Sequence, residues 1–230
     1  MSESISAGTD ATLWLSRQQS RRIDQLAMQR GVTGEALMER AGAGCAELIW
    51  AGYAPATAWV VCGSGNNGGD GLVIARKLSE RGVTVRLWLV GNRERMSPET
   101  AANLNRWLTL GGAIEDWPPQ ILKGAKPDVA VDCLLGTGSS GDPRGEVAEA
   151  IAWLNQLDCR RIAIDLPSGL DCDSGLPGKP TFRADQTLTM VGPKLGFHEP
   201  VSQEYVGQWK VVDLGVPADL IEEAISGANL

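Results

Sequence analysis

The chain has 230 residues, enough for one large domain that buries roughly 70–75% of its unfolded surface without covalent or metal staples. A net charge of −7 and a pI near 4.8 exclude the clustered Lys and Arg that duplex nucleic acid needs, but not a small phosphorylated ligand held by backbone amides. No apolar run reaches the ~18 residues of a membrane span, and five scattered cysteines without a C-x-x-C pair argue against zinc and fit a reducing cytoplasm.

Residues 1–15 are rich in Ser, Thr, Ala and Gly, carry Glu3 and Asp10, and lack the basic start and apolar run of a secretory signal; a mobile tail is expected. Ser16 with Gln19 forms a capping-box pattern that opens a helix over 17–30, which Gly31 ends. Thr33 caps a second helix with Leu37, Ala41, Cys45 and Leu48 on one face, closed by Gly52. A strand at 58–62 leads into a glycine loop, then a helix over 71–81 and a strand over 83–90. Ser97-Pro98 starts the next helix, which runs to Gly111-Gly112. A buried strand at 128–133, a helix at 146–157 and a strand at 161–165 follow. Two last strands, 186–191 and 208–213, have no helix between them. This β-α-β-α alternation predicts an α/β fold with a mostly parallel sheet and helices on both faces.

Three loops follow strands and each carries a carboxylate: Gly63 to Gly71, Asp132 to Asp142, and Asp165 to Asp171. In a parallel sheet they open on one edge, where α/β sheets hold ligands. The first loop contains G-x-G-x-x-G at Gly63, Gly65 and Gly68, between a strand and a helix. The acid expected about 20 residues later is missing, and Asp70 beside the helix start would repel a pyrophosphate there, so an ordinary dehydrogenase is disfavoured. Asp70 has an alternative reading as a simple N-cap. In the second loop, Gly136-Thr137-Gly138-Ser139-Ser140-Gly141-Asp142 offers successive amides as an anion nest. In the third, Asp165 at a strand tip suits a general acid or base. The single histidine, His198, leaves a Ser-His-Asp mechanism little support. Asn67, Asp132 and Ser168 supply one side-chain oxygen each at separate strand tips; one formal charge suits a monovalent ion better than Mg²⁺ or Ca²⁺.

Together, Gly-Asn-Asn-Gly-Gly-Asp-Gly-Leu, Val-Asp-Cys-Leu-Leu-Gly-Thr-Gly, Asp-Leu-Pro-Ser-Gly-Leu-Asp and Gly-Pro-Lys-Leu-Gly resemble the YjeF N-terminal domain family, the NAD(P)H-hydrate epimerases. The likeness covers about residues 16–215 and includes Leu37 to Gly42. It implies a Rossmann-like three-layer αβα sandwich with two N-terminal helices, commonly a homodimer. The implied substrate is NADHX or NADPHX, the nicotinamide cofactor hydrated at C6, whose R and S forms are interconverted. By family pattern the substrate contacts Asn66, Asn67, Gly68, Gly69 and Asp70, Gly136 to Asp142, and Asp165; potassium is held by Asn67, Asp132 and Ser168. Lys194, in the fourth motif, is expected either to meet a phosphate or the carboxamide, or to be an ordinary solvated lysine. Asp165 is the expected acid–base group, its proton affinity raised by burial or by Asp132 and Asp142. The second loop departs from relatives in carrying Ser at its fourth place. Residues 16–217 form the expected epimerase domain, and 218–230 an extension or the start of a missing dehydratase domain. The rival reading is a binding scaffold, which has no need of Asn67, Asp132 and Asp165 together.

Overall fold

The computed structural model describes residues 13–119 and 125–227. Six strands form one sheet in the order β2-β1-β3-β4-β5-β6: β1 Thr57–Cys62, β2 Thr84–Leu89, β3 Val129–Cys133, β4 Arg160–Ile164, β5 Gln186–Met190 and β6 Gln208–Val212. Every neighbouring pair is parallel. The inner strands are almost wholly buried, as their mainly apolar runs require of a sheet covered on both faces. On one face lie α2 (Gly34–Tyr53), α3 (Asn66–Ser79) and α4 (Pro98–Thr109), packed through Ala41, Cys45, Leu72, Ala75 and Trp107. On the other, α5 (Gly145–Leu154) packs through Ala150, Ile151 and Leu154 against Trp59, Trp88 and Phe182. The expected three-layer α/β sandwich is observed.

Local chemistry explains three of the helix starts. Ser16 and Gln19 form the reciprocal capping box of α1 (Arg17–Gln29), Thr33 caps α2, and Ser97 caps α4 ahead of Pro98. Three expectations need correction. The third helix begins at Asn66, not near 71, so the glycine loop itself is its first turn and Gly65, not Asp70, is the N-cap. Helix propensity puts a cost of roughly 1 kcal/mol on each glycine there, but tertiary contact decides otherwise. A Cβ on Gly68 would stand 1.8 Å from the Gly63 carbonyl oxygen, and one on Gly63 would stand 2.1 Å from that of Leu134. Between β5 and β6 the chain makes two 3-10 turns and the short α6 (Gln203–Val206), which return β6 parallel to β5.

The third correction concerns the expected N-terminal tail. Residues 1–12 of the expected tail lie outside the described residues. Leu15, however, is buried; its amide donates to Pro193 at 2.8 Å and its carbonyl accepts from Leu195 at 2.9 Å. Beyond Pro217, α7 (Ala218–Ser226) packs Leu220 and Ala224 against Ile23, Leu26 and Ala27 of α1. Among the described residues, no helix is long and apolar enough to cross a membrane.

Candidate active site at the carboxyl edge of the sheet

The strand order reverses between β1 and β3, and the loops after these two strands open a crevice at their carboxyl ends. A cavity of about 680 Å³ lies there, and the loops after β1, β3 and β4 all reach it. Asn66, Asn67, Asp70, Gly136 to Ser139, Asp165 and Lys194 line it. Ser140, Gly141 and Asp142 do not; they turn into a neighbouring cavity of about 230 Å³, where Asp142 accepts from the Lys179 amide. A groove of about 710 Å³ over α2 to α4 is larger, but Arg76 and Arg106 within it are paired with Glu39 and Glu35. His198 stacks on Trp14 outside the main cavity.

Asp165 follows β4 with φ +65°, and the Leu166 amide bonds back to Ile164 at 2.8 Å across it. Aspartate tolerates this left-handed conformation better than most residues. Val191, after β5, repeats the device: φ is +64°, and the Gly192 amide bonds back to Met190 at 2.7 Å. For a β-branched residue that is a strained position, costing about 1–3 kcal/mol. The turn brings the Met190 and Gly192 carbonyls to Lys194 Nζ, at 3.1 and 3.3 Å. The same Nζ lies 3.0 Å from Asp165 Oδ1, while Asp165 Oδ2 accepts from the Thr137 amide at 3.0 Å. Lys194 is therefore not a solvated lysine. It is 1% exposed, and its three donors are already engaged.

Asp132 is fully buried at the end of β3. Ser168 donates to it twice, from Oγ at 2.7 Å and from its amide at 2.9 Å, and the Leu134 amide adds a third bond at 3.1 Å. Burial nevertheless pushes its carboxyl up to about 6, with the Ser168 and Leu134 bonds opposing. Asn67 donates to the Leu135 carbonyl at 2.8 Å, and Ser168 Oγ accepts from the Leu135 amide at 2.9 Å. The three residues thus converge on one short stretch of backbone. Asn67 Oδ1 is buried without a partner. Among the described residues no cluster of three His, Cys, Asp or Glu could hold a metal, so an ion here would rest on amide, hydroxyl and carboxylate oxygens.

The anion nest expected of the second loop is partly spent. Its Thr137 amide goes to Asp165 and its Ser139 amide to Gly136. The amides of Asn66, Asn67 and Gly68, at the first turn of α3, have no acceptor within the helix and form the better anion site. The repulsion expected from Asp70 weakens too. Burial, and then the charges of Asp165 and Asp24, raise its carboxyl well above the usual range and favour the neutral form.

Sequence reasoning missed the contribution of α1. Arg17 donates to the carbonyls of Thr137, at 2.7 Å, and Ser139, and pairs with Asp171 at 2.8 Å. Arg21 reaches the Gly138 carbonyl at 3.3 Å. Ser20 and Asp24 line the cavity, and Ser20 Oγ is buried without a partner. Although its surface is open to the cavity, the packed wall around Asp24 strips enough hydration to push its carboxyl up to about 6; Asp165 adds to the rise and Lys194 opposes it. Residues 17, 20, 21 and 24 form a polar stripe at helical spacing, which sequence alone cannot tell from a solvated face. The direct partners of Asp165 are Lys194 and Thr137, and the carboxyl groups that feel its charge are Asp24 and Asp70.

Residues 34–196 match the model of the family described as YjeF-related protein N-terminus. The NAD(P)H-hydrate epimerase of Rhodopirellula baltica is 37% identical over 209 residues, 90% of this chain and 86% of that one. The NAD(P)H-hydrate epimerase of Pirellula staleyi is also 37% identical, over 90% of this chain and 94% of that one. A bifunctional NAD(P)H-hydrate repair enzyme of Salinibacter ruber is 36% identical, but this chain spans only 39% of its length. The crystal structure of the yeast protein YNL200c superposes with a TM-score of 0.79 at 22% identity, covering 92% of this chain and 93% of that one.

Proposed function

Because the chain belongs to the YjeF-related N-terminal family, we propose that it is an isomerase interconverting the R and S forms of NAD(P)H hydrated at C6 of the nicotinamide ring, and so acts in nicotinamide cofactor repair. The observation that carries this reading is the Asp165–Lys194 pair in the wall of a cavity that all three loops line, in a chain matching the epimerases over nearly their full length. The first-turn amides of α3, where Asn66 and Asn67 line the cavity, suit the substrate pyrophosphate, and Gly136 to Ser139 flank the nicotinamide end.

At C6 the hydroxyl sits beside the ring nitrogen. Its protonation releases water, and the nitrogen lone pair forms an iminium with C6. Water then returns to the opposite face of the flat ring and loses a proton. Asp165, fixed through both oxygens by Lys194 and the Thr137 amide, takes that proton and returns it in the reverse direction. Lys194 acts through Asp165, since it has no donor left for a phosphate or carboxamide.

Potassium is the ion assigned to Asn67, Asp132 and Ser168. The unpartnered Asn67 Oδ1 and the buried Asp132 carboxyl, which has no cationic side chain among its hydrogen-bond partners, support that assignment. When bound, it would supply the counter-charge to Asp132 and tie α3 to the loops after β3 and β4. A homodimer and a cytoplasmic location complete the proposal. An S-specific dehydratase, as a fused domain or separate partner, would consume the product. The test is conversion of purified R-NADHX to S-NADHX by the purified chain, resolved chromatographically. No conversion beyond the uncatalysed rate would sink the assignment.

A further inference from the structure

We propose that Asp24 is a second catalytic carboxyl group, serving one face of the nicotinamide ring while Asp165 serves the other. The proposal rests on the epimerase reading above. Inversion at C6 requires the oxygen to leave from one face and return on the opposite one. Asp165 cannot follow it round, because Oδ1 is held by Lys194 and Oδ2 by the Thr137 amide. A second proton-carrying group must therefore reach the cavity from another wall.

Three other carboxyl groups line that cavity: Asp24, Asp70 and Glu99. Asp70 lies on α3 beside the first-turn amides assigned to the pyrophosphate, and its carboxyl is raised above the usual range. Glu99 stands at the start of α4 against Gly34, where a Cβ would meet its Oε1 at 3.0 Å. Asp24 comes from α1, a different element from the β4 tip that carries Asp165, and its surface is open where it lines the cavity. Asp24, Asp165 and Lys194 line the same cavity. One turn earlier on α1, the buried, unpartnered Ser20 Oγ lines the same cavity, as a wall built for a polar ligand would have it.

The step balances. The Asp24 carboxylic acid gives its proton to the C6 hydroxyl, the C–O bond breaks with its electron pair on the departing water, and the ring nitrogen forms the iminium. A second water attacks C6 from the other face and gives a proton to the Asp165 carboxylate. Proton exchange with solvent resets the pair, and the opposite epimer uses the two groups in exchanged roles. Activity in both directions requires the pair to hold one proton, so the rate falls as pH rises through the value at which Asp24 loses it. Asp165, Asp70, Glu99, Lys194 and Arg21 are the charged or titratable groups that share the cavity with it.

The test uses the full chain and purified epimers. Asp24→Asn is expected to lower kcat by roughly 10²–10⁴-fold and to abolish the alkaline limb of the pH profile. Its thermal midpoint and its binding of unhydrated NADPH should match the parent. Asp24→Ala is expected to recover part of the lost rate with added acetate, which a merely structural residue would not allow. A parent that epimerises, with Asp24→Asn within about threefold of it, overturns this proposal alone. A parent without epimerase activity overturns both this and the reading on which it rests.

Discussion

Lys194 Nζ stands 3.0 Å from Asp165 Oδ1; Asp165 is itself the positive-φ centre of a three-residue turn after β4, and Lys194 follows a matching turn centred on Val191 after β5. The lysine side chain is 2% exposed and the aspartate side chain 15% exposed. Breaking a pair buried this deeply strands one charge. Lys194→Met is expected to lower unfolding stability by about 3–5 kcal/mol in urea titrations, the usual cost of an uncompensated buried ion. Asp165→Asn keeps the shape and a hydrogen-bond acceptor for the lysine, so it should fold while losing roughly 10²–10⁴ in kcat. Turnover within threefold of the parent would remove Asp165 from acid–base chemistry.

Arg17 holds the second loop from outside the reacting centre, through two carbonyls and Asp171. Losing such charge-assisted bonds costs about 1.5–3 kcal/mol, so Arg17→Met should raise KM by roughly 10- to 100-fold. The effect on kcat should stay within a few-fold, and Arg17→Lys should restore part of the affinity. An equal fall in kcat would mean that Arg17 has a more direct part in the reaction.

Potassium binding predicts an ion-specific stability. Exchanging KCl for choline chloride at constant ionic strength should lower the thermal midpoint, because a ligand at 100 times its Kd contributes about 2.7 kcal/mol to the folded state. Asn67→Ala should erase the difference, since it removes the oxygen that has no other partner. A diffraction structure in potassium should show an oxygen-only site with contacts longer than the ~2.3–2.6 Å of calcium. Equal midpoints in the two salts would argue against the ion.

Departure and return of water at C6 predicts isotope uptake. In H₂¹⁸O each epimerisation should place one solvent oxygen at C6, read by mass spectrometry of the product. A product that keeps its original oxygen would point instead to opening of the ring at that carbon.

Much of this was legible without coordinates. The capping box at Ser16 and Gln19, the Ser97-Pro98 start and the apolar runs of β1 and β3 are local signals, decided by neighbours within a few residues. The loops after β1, β3 and β4 could be placed on one sheet edge because parallel strands put their carboxyl ends together. The start of α3 was misread, because Gly68 lies where it does through contact with the Gly63 backbone, against its own helix propensity.

The sequence by itself determined the parallel α/β architecture, the shared edge and the residue types offered there, since strand periodicity, caps and turn chemistry are short-range properties. Only the tertiary structure decided which of those groups meet. Lys194 could be read as a solvated lysine until the Val191 turn turned two carbonyls toward it and Asp165 closed the pair. Asp24 could be read as part of a solvated helix face until α1 was seen lining the cavity, more than 100 residues along the chain from the Gly136–Ser139 loop it faces. Proton affinity depends on burial and on charges brought close by the fold, and neither quantity is encoded in the identity of a residue or its sequence neighbours.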